Sequence, residues 1–221
     1  MIKEIFAEHN VKIGDREEGL FETYYQNLIS WNQKFNLTAI TDKGEVVVKH
    51  FLDSVVAEKY FPYGASVVDV GSGAGFPAIP LKIVRSDIDI TMLEALNKRV
   101  NFLQDTLAVL DLPGKALHLR AEEAACSAMR ESFDVATARA VTNTKQLVQY
   151  LLPLVKVGGS AILYKGAEIE EELKEAEGAI KTLGGMLSRV DRVDFAGLGR
   201  SVVIIDKIFT TPKIYPKKKI K

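Results

Sequence analysis

From Ser66 onward the chain alternates two textures, and that alternation limits the fold more than any other feature. Short runs rich in β-branched residues are each followed by a stretch of helical period. "SVVDV" precedes residues 77–84, "DIDITMLE" precedes 97–110, and "KALHLR" precedes a short helix after Ala121. "FDVATAR" precedes 144–152 and "GSAILYK" precedes 169–183. Strand then helix, repeated, predicts a parallel sheet with helices on both faces. The end differs: "MLSRVDRVDF" and "SVVIIDKIF" are joined by "AGLGR", which predicts an antiparallel pair. The expectation is an α/β, doubly wound, seven-stranded Rossmann-like sheet with one late strand inserted antiparallel, which is not the all-parallel dinucleotide-binding pattern.

The first 65 residues read as helices. Leu20, Tyr24, Leu28, Trp31 and Phe35 recur at three- and four-residue steps, and Val47, Phe51 and Val55 repeat the pattern. Between them "NLTAITDKG" is turn-rich, with Thr41-Asp42 placed to cap the next helix. Three regions follow: an N-terminal helical cap over 1–65, a sheet domain over 66–210 and a basic tail over 211–221. Lysine plus arginine equals aspartate plus glutamate at 29 each, so bulk attraction to nucleic acid is absent. Cys126 is the single cysteine, which excludes an internal disulfide and a multi-cysteine metal site. It reads as a core residue. The N-terminus resembles no signal peptide, and no apolar run reaches membrane-spanning length. A cytoplasmic location, with no membrane partner, is expected.

The first strand ends in "VVDVGSGAGFPAIP", with Gly71, Gly73 and Gly75 at alternate positions after Asp69. Glycine allows positive φ and lets a ligand approach the backbone. Ligands in such sheets bind outside the carboxyl ends of the strands. The spacing excludes two common ligands. G-x-G-x-x-G needs glycine where Phe76 stands, and no Gly-Lys-Ser/Thr follows. What remains, D-x-G-x-G-x-G, resembles motif I of S-adenosylmethionine-dependent methyltransferases. Without a ligand it would be a tight strand-to-helix turn. Glu94 ends the second strand, where a carboxylate can accept both ribose hydroxyls. After the third strand, Ala121 and Glu122 offer an N–H and an acid to an adenine edge. Alone, Glu122 reads equally as a helix-start acid.

The chain lacks the (D/N)-P-P-(Y/F) pocket of amino-group methylation, having "ARAVTN" after strand four, and Cys126 lacks the preceding proline of carbon-5 chemistry. A purine ring nitrogen needs neither. Guanine N7 attacks the methyl in line, carries no proton and requires no general base.

"NLTAI" at 36–40, "KHFLDSV" at 49–55, "VDVGSGAGFPAIPL" at 68–81, "LNKRVNFL" at 96–103, "ARA" at 138–140, "YKG" at 164–166 and "TPKIYP" at 211–216 stand in order along almost the whole chain. Together they resemble the GidB/RsmG family, bacterial methyltransferases of guanine N7 in small-subunit (16S) ribosomal RNA. The resemblance implies a methyltransferase sheet, S-adenosyl-L-methionine as cofactor, and cofactor contacts at Gly71, Phe76, Ala121, Glu122 and Arg139. The family usually reads G-F-P-G-I-P. Here Ala78 replaces the second glycine, a change tolerated if that residue is already helical.

Arg139 has two readings: a clamp for the methionine carboxylate or a substrate phosphate, or a structural ion pair. His50, Asp53 and Ser54 lie close on one helical stretch, facing a substrate or bracing the helix. Asn36 is a substrate contact or an Asx-turn residue. Lys98, Arg99, Lys165 and Arg200 are candidates for a basic rim, and Lys217, Lys218 and Lys219 for phosphate contacts from the tail. The tail's other reading is a solvated, frayed end. With zero net charge, a ribosomal particle rather than naked RNA is the expected partner of a monomer. Two rivals stay open. One is a small-molecule methyltransferase whose N-terminal helices close over an apolar pocket. The other is a ribosome-assembly protein without catalysis.

Overall fold

The computed structural model describes residues 1–216; Lys217, Lys218 and Lys219 lie outside them. Seven strands form one sheet: β1 (Ser66–Val70), β2 (Asp89–Glu94), β3 (Lys115–His118), β4 (Phe133–Arg139), β5 (Val155–Gly166), β6 (Gly185–Phe195) and β7 (Leu198–Lys207). Their order is β3-β2-β1-β4-β5-β7-β6. The first five are parallel, and β7 runs antiparallel to both β5 and β6. The order reverses direction between β1 and β4, which opens a crevice at their carboxyl ends.

Successive strand residues face opposite sides. Val67, Ile162 and Val202 join one hydrophobic cluster, while their neighbours Val68, Leu163 and Val203 join the other. The first face carries α1 (Ile2–Glu8), α2 (Asp15–Asn32), α5 (Ala78–Val84) and α6 (Asn97–Val109). The second carries α7 (Ala121–Ala124), α8 (Thr144–Leu151) and α9 (Glu170–Thr182). Ala78 opens α5 and is fully buried, so its methyl sits on already helical backbone.

The N-terminal helices share one continuous core with the sheet, because Phe6, Phe21, Tyr24 and Phe51 pack in the same cluster as Val67 and Ile79. Phe21, outside the predicted stripe of α2, is fully buried. Asp42 caps α3 (Lys43–Val46), accepting from the Glu45 N–H at 2.9 Å. The next six residues, Val47–Leu52, form a π-helical turn that leads into α4 (Asp53–Val55). Such wide turns interrupt α-helices mostly at functional sites.

The end of the chain is not frayed up to Pro216. Arg130 donates to the carbonyls of Thr211 at 2.8 Å and Tyr215 at 2.9 Å, and Glu131 accepts from the Thr211 N–H at 2.6 Å. Cys126 departs from its expected place in the core: it is exposed, because α7 ends at Ala124 and the chain continues as surface turns. Among the described residues, no helix is long and apolar enough to cross a membrane.

Candidate functional site

The glycine loop between β1 and α5 closes on itself. The Gly75 and Phe76 N–H groups donate to the Ser72 carbonyl at 2.7 and 3.0 Å, and the Gly71 N–H donates to the Leu93 carbonyl at 2.8 Å. Gly75 has φ +91°, and a Cβ there would lie 2.6 Å from Ile79 Cδ1 and 2.7 Å from the Tyr24 hydroxyl. Gly71 makes room for Val141 instead: its Cβ would stand 2.9 Å from Val141 Cγ2. Glycine at 71 and 75 is therefore required by the loop's own packing against Val141, Ile79 and Tyr24, and most of the loop's N–H groups are already used.

Beside the loop, a cleft of about 480 Å³ opens along the carboxyl ends of β1, β2, β3 and β4. Its charged side is made by Glu94, Arg99, Arg120 and Glu122. Glu94 accepts from the Gly73 N–H at 3.0 Å through Oε2 and from the Leu96 N–H at 3.0 Å through Oε1. These bonds fix the carboxylate and leave each oxygen a lone pair toward the cleft. Arg99 stands 3.8 Å from it. The N–H groups of Ala121 and Glu122 have no acceptor among the described residues. Opposite lie Ala140, Val141, Thr142, Gln146 and Tyr150, which sequence reasoning missed. Ala140 holds φ +56°, an uncommon left-handed turn for alanine that aims Val141 back over Gly71.

Asp69 lies beneath the loop. It is buried, and neither carboxylate oxygen has a hydrogen-bond partner among the described residues. Burial pushes its pKa up to about 7, against the milder pull of Ser72 and the Arg139 charge.

Arg139 ends β4 but does not line the cleft. Its Nη1 pairs with Asp53 Oδ2 at 2.9 Å and donates to the carbonyls of Lys49 and His50, and its Nη2 sits 3.3 Å from His50 Nδ1. The guanidinium lies 4.8 Å from the centre of the Phe76 ring, on which His50 also stacks at 4.5 Å. Asp53 accepts a second cation, Arg200 Nε, at 2.8 Å. His50 Nε2 meets the Thr38 hydroxyl at 2.9 Å. Burial, then the Arg139 charge, lowers the His50 pKa to about 4, so the ring is neutral at pH 7. Gly71, Glu94, Ala121 and Glu122 thus gather at the cleft, while Phe76, His50, Asp53, Arg139 and Arg200 form a second network beside it.

Other predicted residues stand elsewhere. Ser54 is fully buried, its hydroxyl donating to the His50 carbonyl at 2.6 Å, so it braces the helix and offers no surface to a substrate. Asn36 is exposed, and the loop is held instead by Asn32, whose Oδ1 accepts from the N–H groups of Leu37 at 2.7 Å and Thr38 at 3.0 Å, five and six residues on. Lys165 does not extend a basic rim: it is paired with Glu172 at 2.7 Å and donates to the Thr142 carbonyl, propping the cleft's far wall. Lys98 is exposed above the Phe35 ring. Among the described residues, the apolar faces of the N-terminal helices lie in the core rather than over an apolar pocket.

A glycine loop, a ribose-height acid and an inserted antiparallel last strand together define an S-adenosylmethionine-dependent methyltransferase fold. Solved structures share it. TYW2 of M. jannaschii, in complex with AdoMet, matches with a TM-score of 0.59 at 13% identity, over 77% of this chain and 80% of that one. TrmN from Thermus thermophilus matches with a TM-score of 0.53 at 18% identity, over 72% and 48%. The GidB family model, rRNA small subunit methyltransferase G, matches residues 17–197, and the chain belongs to this family. It is 45% identical to the ribosomal RNA small subunit methyltransferase G of Brevibacillus brevis, over 99% of this chain and 96% of that protein. With the same-named protein of Clostridium perfringens strain 13 it shares 46% identity, over 90% and 85%.

S-adenosylmethionine is the cofactor, and the residues present fit it. Asp69 offers orphaned carboxylate oxygens to a cation, and Glu94 offers acceptors to hydroxyls.

Proposed function

We propose that this chain methylates N7 of a guanine in small-subunit ribosomal RNA. Membership of the family across residues 17–197 is the observation that carries the reading. Bound S-adenosylmethionine supplies an electrophilic methyl group on a sulfonium. Gly71 and its loop admit the ligand to the backbone, Glu94 holds the ribose, and Ala121 and Glu122 take an adenine edge. Asp69 receives the ammonium. Phe76 and Arg139 form the partition between cofactor and substrate, with Arg139 set by Asp53 and His50.

Guanine N7 carries a lone pair and no proton, so the protein needs to orient the base and remove nothing from it. A His50 pKa near 4 fits this, because such a ring is a poor proton acceptor at neutral pH. Arg200, Lys98 and Asn36 stand toward the RNA, in a cytoplasmic monomer acting on a ribosomal particle. The test is transfer from tritiated S-adenosylmethionine to small subunits and to naked ribosomal RNA from a strain lacking the endogenous enzyme. Borohydride–aniline then cuts at 7-methylguanine. Label with one cleavage site, stronger on particles, is expected. Label without cleavage would remove N7, and no label on either would remove the RNA reading.

A further inference from the structure

The far wall of the cleft holds a hydrogen-bonded chain of neutral groups. The Thr142 hydroxyl donates to Gln146 Oε1 at 3.0 Å, and Gln146 Nε2 donates to the Tyr150 hydroxyl at 2.6 Å. All three side chains line the cleft, and all three are half-buried. Gln146 and Tyr150 sit one turn apart on the same face of α8, and Thr142 lies just before the Asn143 that caps the helix. Behind them, Thr142 is held by the Lys165 ammonium on its carbonyl at 2.9 Å. Glu172 pairs with that lysine and also accepts from the Thr144 N–H.

A carboxamide has two N–H donors and two acceptor lone pairs. The internal chain uses one of each. One donor and one acceptor therefore remain side by side on Gln146. This wall carries no charge, whereas the opposite one carries Glu94, Glu122, Arg99 and Arg120. A neutral adjacent donor and acceptor complements the N6/N7 edge of adenine, which glutamine pairs with bidentately. The Ala121 N–H and the Glu122 carboxylate, across the cleft, are placed as donor and acceptor for the other edge of the same ring.

Resting on the cofactor reading, we infer that Gln146 is a specificity-determining residue that reads the N6/N7 edge of the cofactor's adenine, with Thr142 and Tyr150 as positioning residues that fix its amide. N7 is the atom that separates this role from the opposite wall's, because Ala121 and Glu122 face N1 and N6. The 7-deaza analogue lacks only that acceptor.

The test is calorimetric binding, without turnover. S-adenosylhomocysteine and its 7-deaza analogue are titrated into the full chain and into Gln146→Met, which keeps the length and helix propensity of glutamine. The unaltered protein should bind the 7-deaza analogue about fivefold to tenfold more weakly. Gln146→Met should bind both ligands more weakly than the unaltered protein does, and equally to each other. Thr142→Val, which frees the amide without removing it, should keep the preference for N7 in reduced form. Equal binding of the two ligands by the unaltered protein, or an unchanged ratio in Gln146→Met, would overturn the assignment while leaving the cofactor in place. No binding of S-adenosylhomocysteine to the unaltered protein would overturn the cofactor reading and the assignment with it.

Discussion

The Tyr24 hydroxyl, on an N-terminal helix, donates to the carbonyl of Ala74 in the middle of the glycine loop, 50 residues away in sequence. The ring itself stacks on Phe51 at 5.1 Å and leans on Phe76 at 5.7 Å. The helical extension is therefore part of the cofactor loop's foundation. Tyr24→Phe keeps the rings and leaves a buried carbonyl unpaired. It should cost about 1–3 kcal/mol of stability, seen as a lowered Tm. Cofactor affinity by calorimetry should fall about fivefold, with the KM for RNA unchanged.

Gly73 and Gly75 both have positive φ, at +58° and +91°, but differ in surroundings. A Cβ on Gly73 meets its nearest atom only at 4.0 Å, whereas one on Gly75 meets Ile79 and the Tyr24 hydroxyl below 3 Å. Gly73→Ala should cost about 1–2 kcal/mol from its left-handed backbone alone. Gly75→Ala should cost clearly more in urea denaturation. It should also weaken cofactor binding further, by forcing Tyr24 off Ala74. Equal losses would contradict the packing.

Asp53 is shared by Arg139 and Arg200, and its side chain is only 6% exposed. Removing the carboxylate strands Arg139 among Phe76, His50 and the sheet. Asp53→Ala should destabilise by about 3–5 kcal/mol. Asp53→Ala combined with Arg139→Met should be more stable than Asp53→Ala alone, since the uncompensated cation is gone. Chemical denaturation of the four proteins of this cycle measures the coupling.

Asp69 gives the site a pH dependence of defined sign. Its pKa near 7 in the folded, ligand-free chain lies above the ordinary carboxylate value. Its contribution to stability is thus present at pH 4 and lost as pH rises through 7. Asp69→Asn should remove that decline. A cationic ligand group favours the ionised carboxylate, so cofactor affinity should rise toward pH 7 and level off above it. Proton release on binding, read from calorimetry in buffers of different ionisation enthalpy, should vanish in Asp69→Asn.

Much of this was legible in the sequence. The β-branched runs mark the inner strands, whose burial on both faces leaves a clear apolar signature, and the "AGLGR" turn marks the largely exposed edge strand β6 with its partner β7. Gly71, Glu94, Ala121 and Glu122, which line the cleft, stand at strand ends that the sequence pattern marks, and Asp69 precedes the glycine loop. What escaped depends on tertiary contact. Tyr24 reads as one more apolar position of α2, and nothing local shows that its hydroxyl reaches Ala74. The π-helical turn escaped because Val47, Phe51 and Val55, four apart, suit either helix. Gln146 and Tyr150 escaped because α8 also carries Lys145 and Gln149, so nothing local separates the polar side chains that face the cleft from those that face solvent. Lys165 looked free because Glu172 lies on a different element.

The strand order also sets a timetable for synthesis. β6 pairs only with β7, and β7 must slip between β6 and β5. While residues 185–197 leave the ribosome, β6 has no neighbour and the edge of β5 stays open. Such unpaired edges invite pairing with other chains. Closure waits for residues 198–207. A chain that stalls just short of them would carry every cofactor residue named here and still present two raw strand edges to its surroundings.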